Sequence, residues 1–114
     1  MARPIRIRLS EAQAAALECR EIHLDPDRVE TVAFTGTHLV FEERVALALD
    51  EWLSDMADAE DYHADELRRE GEHELATLTR RAGRSLWALS NRVSRRCREQ
   101  IARDFFSTTN DTKE

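Results

Sequence analysis

Residues 75–106, LATLTRRAGRSLWALSNRVSRRCREQIARDFF, constrain the fold more than any other part of the 114-residue chain. Leu75, Leu78, Ala82, Leu86, Leu89, Val93, Cys97 and Ile101 recur at steps of three and four, which predicts one long helix with a narrow apolar stripe and Trp87 at its edge. Gly83 is expected on the polar side, where it weakens the helix by roughly 1 kcal/mol relative to Ala and leaves room for a bend or a close contact.

A second helical pattern precedes it over residues 42–70. Val45, Leu49, Trp52, Met56, Ala59 and His63 form its expected inward stripe, close to the 3.5-residue period of helix-on-helix packing. Glu43, Asp50, Asp58, Asp61 and Asp65 are expected on the opposite, acidic side. Gly71, within Arg69-Glu70-Gly71-Glu72, is the residue that ends a helix most cheaply here. The two patterns therefore predict an antiparallel hairpin rather than one uninterrupted helix.

The N-terminal third reads differently. Ile5, Ile7 and Leu9 alternate with Arg6 and Arg8, the period of a strand with one buried and one cationic face. Ser10 and Gln13 have capping-box spacing, so a helix should follow, with Ala12, Ala15, Ala16, Cys19 and Ile22 on one side, stopping near Leu24 ahead of the turn residues Asp25-Pro26-Asp27. Residues 28–42 are rich in β-branched and aromatic types around Gly36 and predict a β-hairpin, to which the first strand adds. The expected fold class is α+β. A β-α-β-β unit (1–41) and a helical hairpin (42–106) form one domain, with 107–114 as a disordered tail.

Composition, 41% hydrophobic and 35% charged with 3 Gly and 2 Pro, is that of a globular chain. The net charge of −6 is unevenly placed: residues 1–41 carry −1, residues 42–74 carry −10 and residues 75–114 carry +5. An acidic total argues against general nucleic-acid binding, which depends on Lys and Arg releasing counterions from phosphates. The start of the chain has no apolar signal region and no run approaches a membrane span. The expectation is a soluble protein of the cytoplasm.

Several chemistries find no support. There is no GxSxG, P-loop or HExxH pattern, so no catalytic residue is expected. Cys19 and Cys97 form no CxxC pair and read as reduced, apolar packing residues. Glu60-x-x-His63 and Glu70-x-x-His73 have the spacing used in di-iron bundles. In a segment with 13 acids and 2 histidines that spacing arises easily by chance, so a helical metal-binding protein with Glu-x-x-His ligands is a minor alternative and no cofactor is expected. The strand and capped helix of residues 3–20 resemble the start of a ribbon-helix-helix repressor, but a hairpin then replaces the second helix.

The arginines of residues 75–106 are the remaining candidates. On a helical wheel Arg81, Arg92, Arg96 and Arg103 border the apolar stripe within reach of the acidic helix, while Arg80, Arg84, Arg95 and Arg98, with Asn91, lie on the far side. Solvated charges with weak pairs, worth ~0–1 kcal/mol each, would explain such a run. The use of Arg, with no Lys before Lys113, instead favours forked contacts to phosphate or carboxylate, although GC-rich coding produces the same bias. Candidate ligand-binding residues are Arg84, Asn91, Arg92, Arg95 and Arg96.

The segment Arg84 to Val93, Arg-Ser-Leu-x-x-Leu-x-x-Arg-Val, together with the layout of the chain, resembles small accessory proteins of phages infecting high-GC bacteria. Among these it is loosely similar to anti-defence sponges that sequester the nucleotide signals of Thoeris or CBASS immunity. The resemblance implies a non-enzymatic homo-oligomer in the host cytoplasm whose arginines, with Arg92, Arg95 and Arg96 foremost, clasp the phosphates of a small nucleotide. The alternative expectation is a protein-interaction module that uses its acidic or its arginine-rich face on a protein partner.

Overall fold

The structure, a computed structural model, describes residues 4–18, 20, 22, 24 and 32–112, with side chains as far as residue 106. The expected Asp25-Pro26-Asp27 turn, Cys19 and residues 28–31 lie outside that set. Strand β1 (Ile5–Arg8), helix α1 (Glu11–Glu18), strands β2 (Val32–Phe34) and β3 (His38–Phe41), a short 3-10 turn (Glu43–Val45), and helices α2 (Ala46–Arg69) and α3 (His73–Thr112) follow in order. The α+β class and the helical hairpin are as expected. No helix among the described residues is long and apolar enough to cross a membrane.

Alternation in β1 does what its period requires: Ile5 and Ile7 are buried and Arg6 and Arg8 exposed. β1 joins the hairpin through β3, giving an antiparallel sheet of order β1-β3-β2 in which Ile5 faces Phe41 and Ile7 faces Leu39. Gly36, at φ +96°, supplies the left-handed residue of the β2–β3 turn. β1 is consequently an edge strand.

The capping box forms reciprocally. The Ser10 amide donates to Gln13 Oε1 and the Gln13 amide to Ser10 Oγ, both at 3.1 Å. That bond turns Gln13 inward, so α1 buries Gln13, Ala16 and Leu17, whereas Ala12 and Ala15 of the expected face are exposed. The helix also ends before the expected stop at Leu24. Arg20 Nε donates to the Ala16 carbonyl at 3.1 Å, taking up one of the acceptors a helix terminus leaves open, and Arg20, Ile22 and Leu24 are not helical.

α2 closes with a Schellman motif: the Glu72 amide donates to the Leu67 carbonyl at 2.9 Å and the Gly71 amide to the Arg68 carbonyl at 3.1 Å, with Gly71 at φ +85°. α3 then runs back along α2 and continues past Phe106 to Thr112, because nothing in Ser107-Thr-Thr-Asn-Asp-Thr112 is a glycine or proline that would stop it. Forty residues of helix are about 60 Å long. The radius of gyration is accordingly 16.9 Å, against about 13 Å for a compact domain of this size.

The core has two halves. Near the sheet, Ile5, Ile7, Leu39 and Phe41 pack with Leu17 and with Val45, Leu49, Leu53, Leu86, Leu89 and Val93. Toward the turn the interface is made of small residues, with Ala57, Ala64, Ala76 and Gly83 all buried. This corrects both expected stripes. On α2 the inward row is Leu49, Leu53, Ala57 and Ala64; Trp52 and Met56 flank it half-buried, and Ala59 and His63 are exposed. On α3, Ala76 and Gly83 face α2 while Leu75 and Leu78 are exposed, since helices that approach this closely leave no room for leucine.

The acidic side of α2 is corrected too. Asp50 accepts hydrogen bonds from Ser90 Oγ and, at 2.9 Å, from Ser94 Oγ, and Ser54 Oγ lies 3.1 Å from Ser90 Oγ. Ser90 is buried, so this satisfied polar network sits between the helices and fixes their register. Asp65 pairs with Arg80 at 2.6 Å, and Asp61 lies against Gly83. Glu60 pairs with Arg20, a partner that sequence spacing did not foresee for the Glu-x-x-His carboxylate.

Candidate functional site

On α3, Arg92, Arg95, Arg96 and Glu99 stand at i, i+3, i+4 and i+7 and therefore share one face. That face meets the edge strand β1. Arg6, Ile7 and Arg8 of β1 and Arg92, Arg95, Arg96 and Glu99 of α3 line one open cleft of about 260 Å³. Two segments more than eighty residues apart thus place five guanidinium groups around a single concavity whose lining includes one carboxylate.

The partners of these groups are few. Arg92 donates to Gln13 Oε1 at 2.8 Å, the same oxygen that accepts from the Ser10 amide, so the N-terminus of α1 holds this side chain in place. Arg96 lies 3.5 Å from Glu99 one turn on, with both groups about half exposed, a pair worth ~0–1 kcal/mol. Arg6, Arg8 and Arg95 make no ion pair among the described residues. Bringing like charges together without counter-charges weakens a fold, and the cost is relieved when an anion occupies the space between them.

Of the sequence candidates, Arg92, Arg95 and Arg96 come together here. Arg84 does not line this cleft, lying about 12 Å along the helix from Arg92. Asn91 is turned to the other side of α3, into a second, wider cleft of about 430 Å³ with Ala46, Leu47, Asp50, Ser94, Cys97 and Arg98. There burial, with Glu43 nearby, pushes the Cys97 thiol above its ordinary pKa, which favours its protonated form. The wheel also misplaced the two rows: Arg80 reaches α2 through Asp65, whereas Arg92 turns to α1 and lines the cleft with Arg96 beside β1.

Arg6 and Arg8 were not among the sequence candidates, although the alternation of β1 already set them on one cationic face. The missing piece was that β1 is an edge strand with α3 beside it. Among the described residues no three His, Cys, Asp or Glu side chains are grouped as metal ligands, and His63 is exposed.

Comparison with protein-family models, with curated proteins and with solved structures gives no match for this chain.

Proposed function

We propose that the protein is a non-enzymatic binding protein that captures a small phosphate-bearing anion, a nucleotide, in the cleft between β1 and α3. The observation that carries this reading is the gathering of Arg6, Arg8, Arg92, Arg95 and Arg96 around one space in which Glu99 is the single carboxylate among the described residues. Guanidinium groups form paired bonds to phosphate oxygens, and several acting on one ligand supply both affinity and orientation. None of the described residues of the lining carries a hydroxyl, thiol or imidazole, which favours holding the ligand over turning it over. The −10 charge of residues 42–74 repels a long polyanion while leaving the local field of the cleft positive, which favours a small ligand over nucleic acid. Sequestration of a nucleotide signal by a phage-type accessory protein is the biological role this reading fits.

The test is ligand-induced thermal stabilisation. A ligand at a hundred times its dissociation constant adds about 2.7 kcal/mol to a protein it binds only when folded. With a panel of mono-, di-, tri- and cyclic nucleotides, at least one is expected to raise the melting temperature by several degrees. The combined substitution Arg92→Glu with Arg96→Glu is expected to abolish that rise while leaving the circular dichroism spectrum unchanged. A wild-type melting temperature that no member of the panel moves would remove the reading.

A second reading, a surface for a protein partner or a second copy of the chain, has its own observation. α3 continues beyond the start of α2, and on this overhang Ile101, at 51% exposure, and Phe106, at 65%, are presented to solvent beside Phe105, whose ring meets that of Phe106 edge-on at 5.9 Å. Leu47 on α2 is also exposed. Exposed apolar side chains in such a row mark association surfaces. Ile101→Glu with Phe106→Glu is expected to lower the mass seen by native mass spectrometry to that of one chain, and a wild-type protein that is already a monomer at micromolar concentration would count against self-association.

A further inference from the structure

The β1–α3 cleft differs from a pocket that reads a nucleobase, and this difference names its ligand more closely. We infer, resting on the anion-binding reading above, that the cleft takes a run of linked phosphates, a di- or triphosphate, and recognises its charge density without reading the group attached to it.

Among the described residues of the lining there is no aromatic and no amide side chain, and Ile7 is the one apolar member. Proteins that discriminate bases stack them on aromatic rings and hydrogen-bond their edges. Neither means is supplied here. The volume of about 260 Å³ is also below the ~300–1,000 Å³ of pockets that enclose a whole drug-sized ligand. A nucleoside would therefore project from the open mouth while its phosphates lie within.

Charge and spacing agree with a phosphate chain. Among the described residues of the lining, five guanidinium groups against one carboxylate leave an excess of four positive charges. A nucleoside triphosphate carries about four negative charges at neutral pH, two of them on its terminal group, whose second pKa is about 6. A cyclic mononucleotide carries one, and three arginines would stay unneutralised. The cations are arranged in two short rows, Arg6 and Arg8 about 7 Å apart along the strand and Arg92 to Arg96 about 6 Å apart along the helix. An extended anion between the rows meets guanidinium groups from both elements, whereas a single phosphate reaches only some of them. Glu99 lies 3.5 Å from Arg96, a half-exposed pair that a more highly charged anion can displace.

Calorimetric titration of the full chain, without divalent metal and at fixed ionic strength, tests this with inorganic tripolyphosphate, ATP, GTP, CTP, UTP, AMP and 3′,5′-cyclic AMP. Tripolyphosphate and the four triphosphates should bind within about threefold of one another, and AMP and cyclic AMP at least tenfold more weakly. Arg6→Gln, Arg8→Gln and Arg95→Gln, all exposed positions, should each weaken triphosphate binding severalfold. Cyclic AMP binding as tightly as ATP, a spread above tenfold among the four bases, or indifference to Arg6→Gln and Arg8→Gln would overturn the phosphate-chain inference and leave anion capture standing. If none of the seven compounds binds, the phosphate-chain inference is overturned, and the wider nucleotide panel above decides anion capture on its own.

Discussion

Gly83→Leu will lower the unfolding free energy by about 3 kcal/mol and the melting temperature by on the order of 10 °C, while Gly83→Ala will leave both close to the wild-type values. A Cβ at this position would stand 3.2 Å from Asp61 Oδ1 and 3.3 Å from both the Ala57 carbonyl oxygen and Glu60 Cβ. Two of those three atoms belong to rigid parts of α2. With alanine they must give way by a few tenths of an ångström, a cost that offsets the roughly 1 kcal/mol alanine gains over glycine in a helix. Leucine adds three more carbons with no space to enter, and it can be accommodated only by prising α2 from α3. Denaturant titration followed by circular dichroism measures the difference directly. A Leu variant within 1 kcal/mol of wild type would mean that the helices are not in close contact there.

Arg20→Met is expected to cost about 2–3 kcal/mol, more than a surface ion pair is worth. Arg20 ties three places together: its Nε caps the Ala16 carbonyl, one terminal nitrogen lies 3.7 Å from the Met56 sulfur and the other pairs with Glu60. The two side chains are 22% and 19% exposed, between the surface and interior regimes. Removing the arginine leaves Glu60 charged, largely desolvated and without its partner. Adding Glu60→Leu to Arg20→Met should therefore recover most of the loss, and the four proteins of a double-mutant cycle give the coupling energy. Equal stability of the single and double variants would show that the pair is solvated and of little consequence.

Much of the fold was legible because local chemistry determines it. The Ser10–Gln13 cap, the alternation of Ile5, Ile7 and Leu9, and the two glycines that must take positive φ each need only a few neighbouring residues to act. The phase of the long helices was less legible, because a hydrophobic stripe does not say how near its partner will come. Leu75 and Leu78 looked like core residues; the close contact at Gly83 and Ala76 excluded them, and small residues took the inward positions. The candidate site was half legible for a related reason. Arg92, Arg95 and Arg96 share a helical face that any wheel reveals, but Arg6 and Arg8 join them only through the order of the sheet, which places β1 at the edge. Asn91, about 100° around the helix from Arg92, opens instead into the cleft beside the start of α2.

Gln13 Oε1 serves two donors at once, the Ser10 amide that begins α1 and the guanidinium of Arg92 that lines the cleft. The first turn of a helix is ordinarily indifferent to what happens elsewhere in a protein, yet here its cap and a cleft-lining arginine draw on one oxygen atom. An occupant that pulls Arg92 toward itself returns that oxygen wholly to the Ser10 amide, and by reciprocity a firmer cap releases Arg92 more readily. The start of α1 and the placing of the Arg92 side chain are in this way tied to one atom.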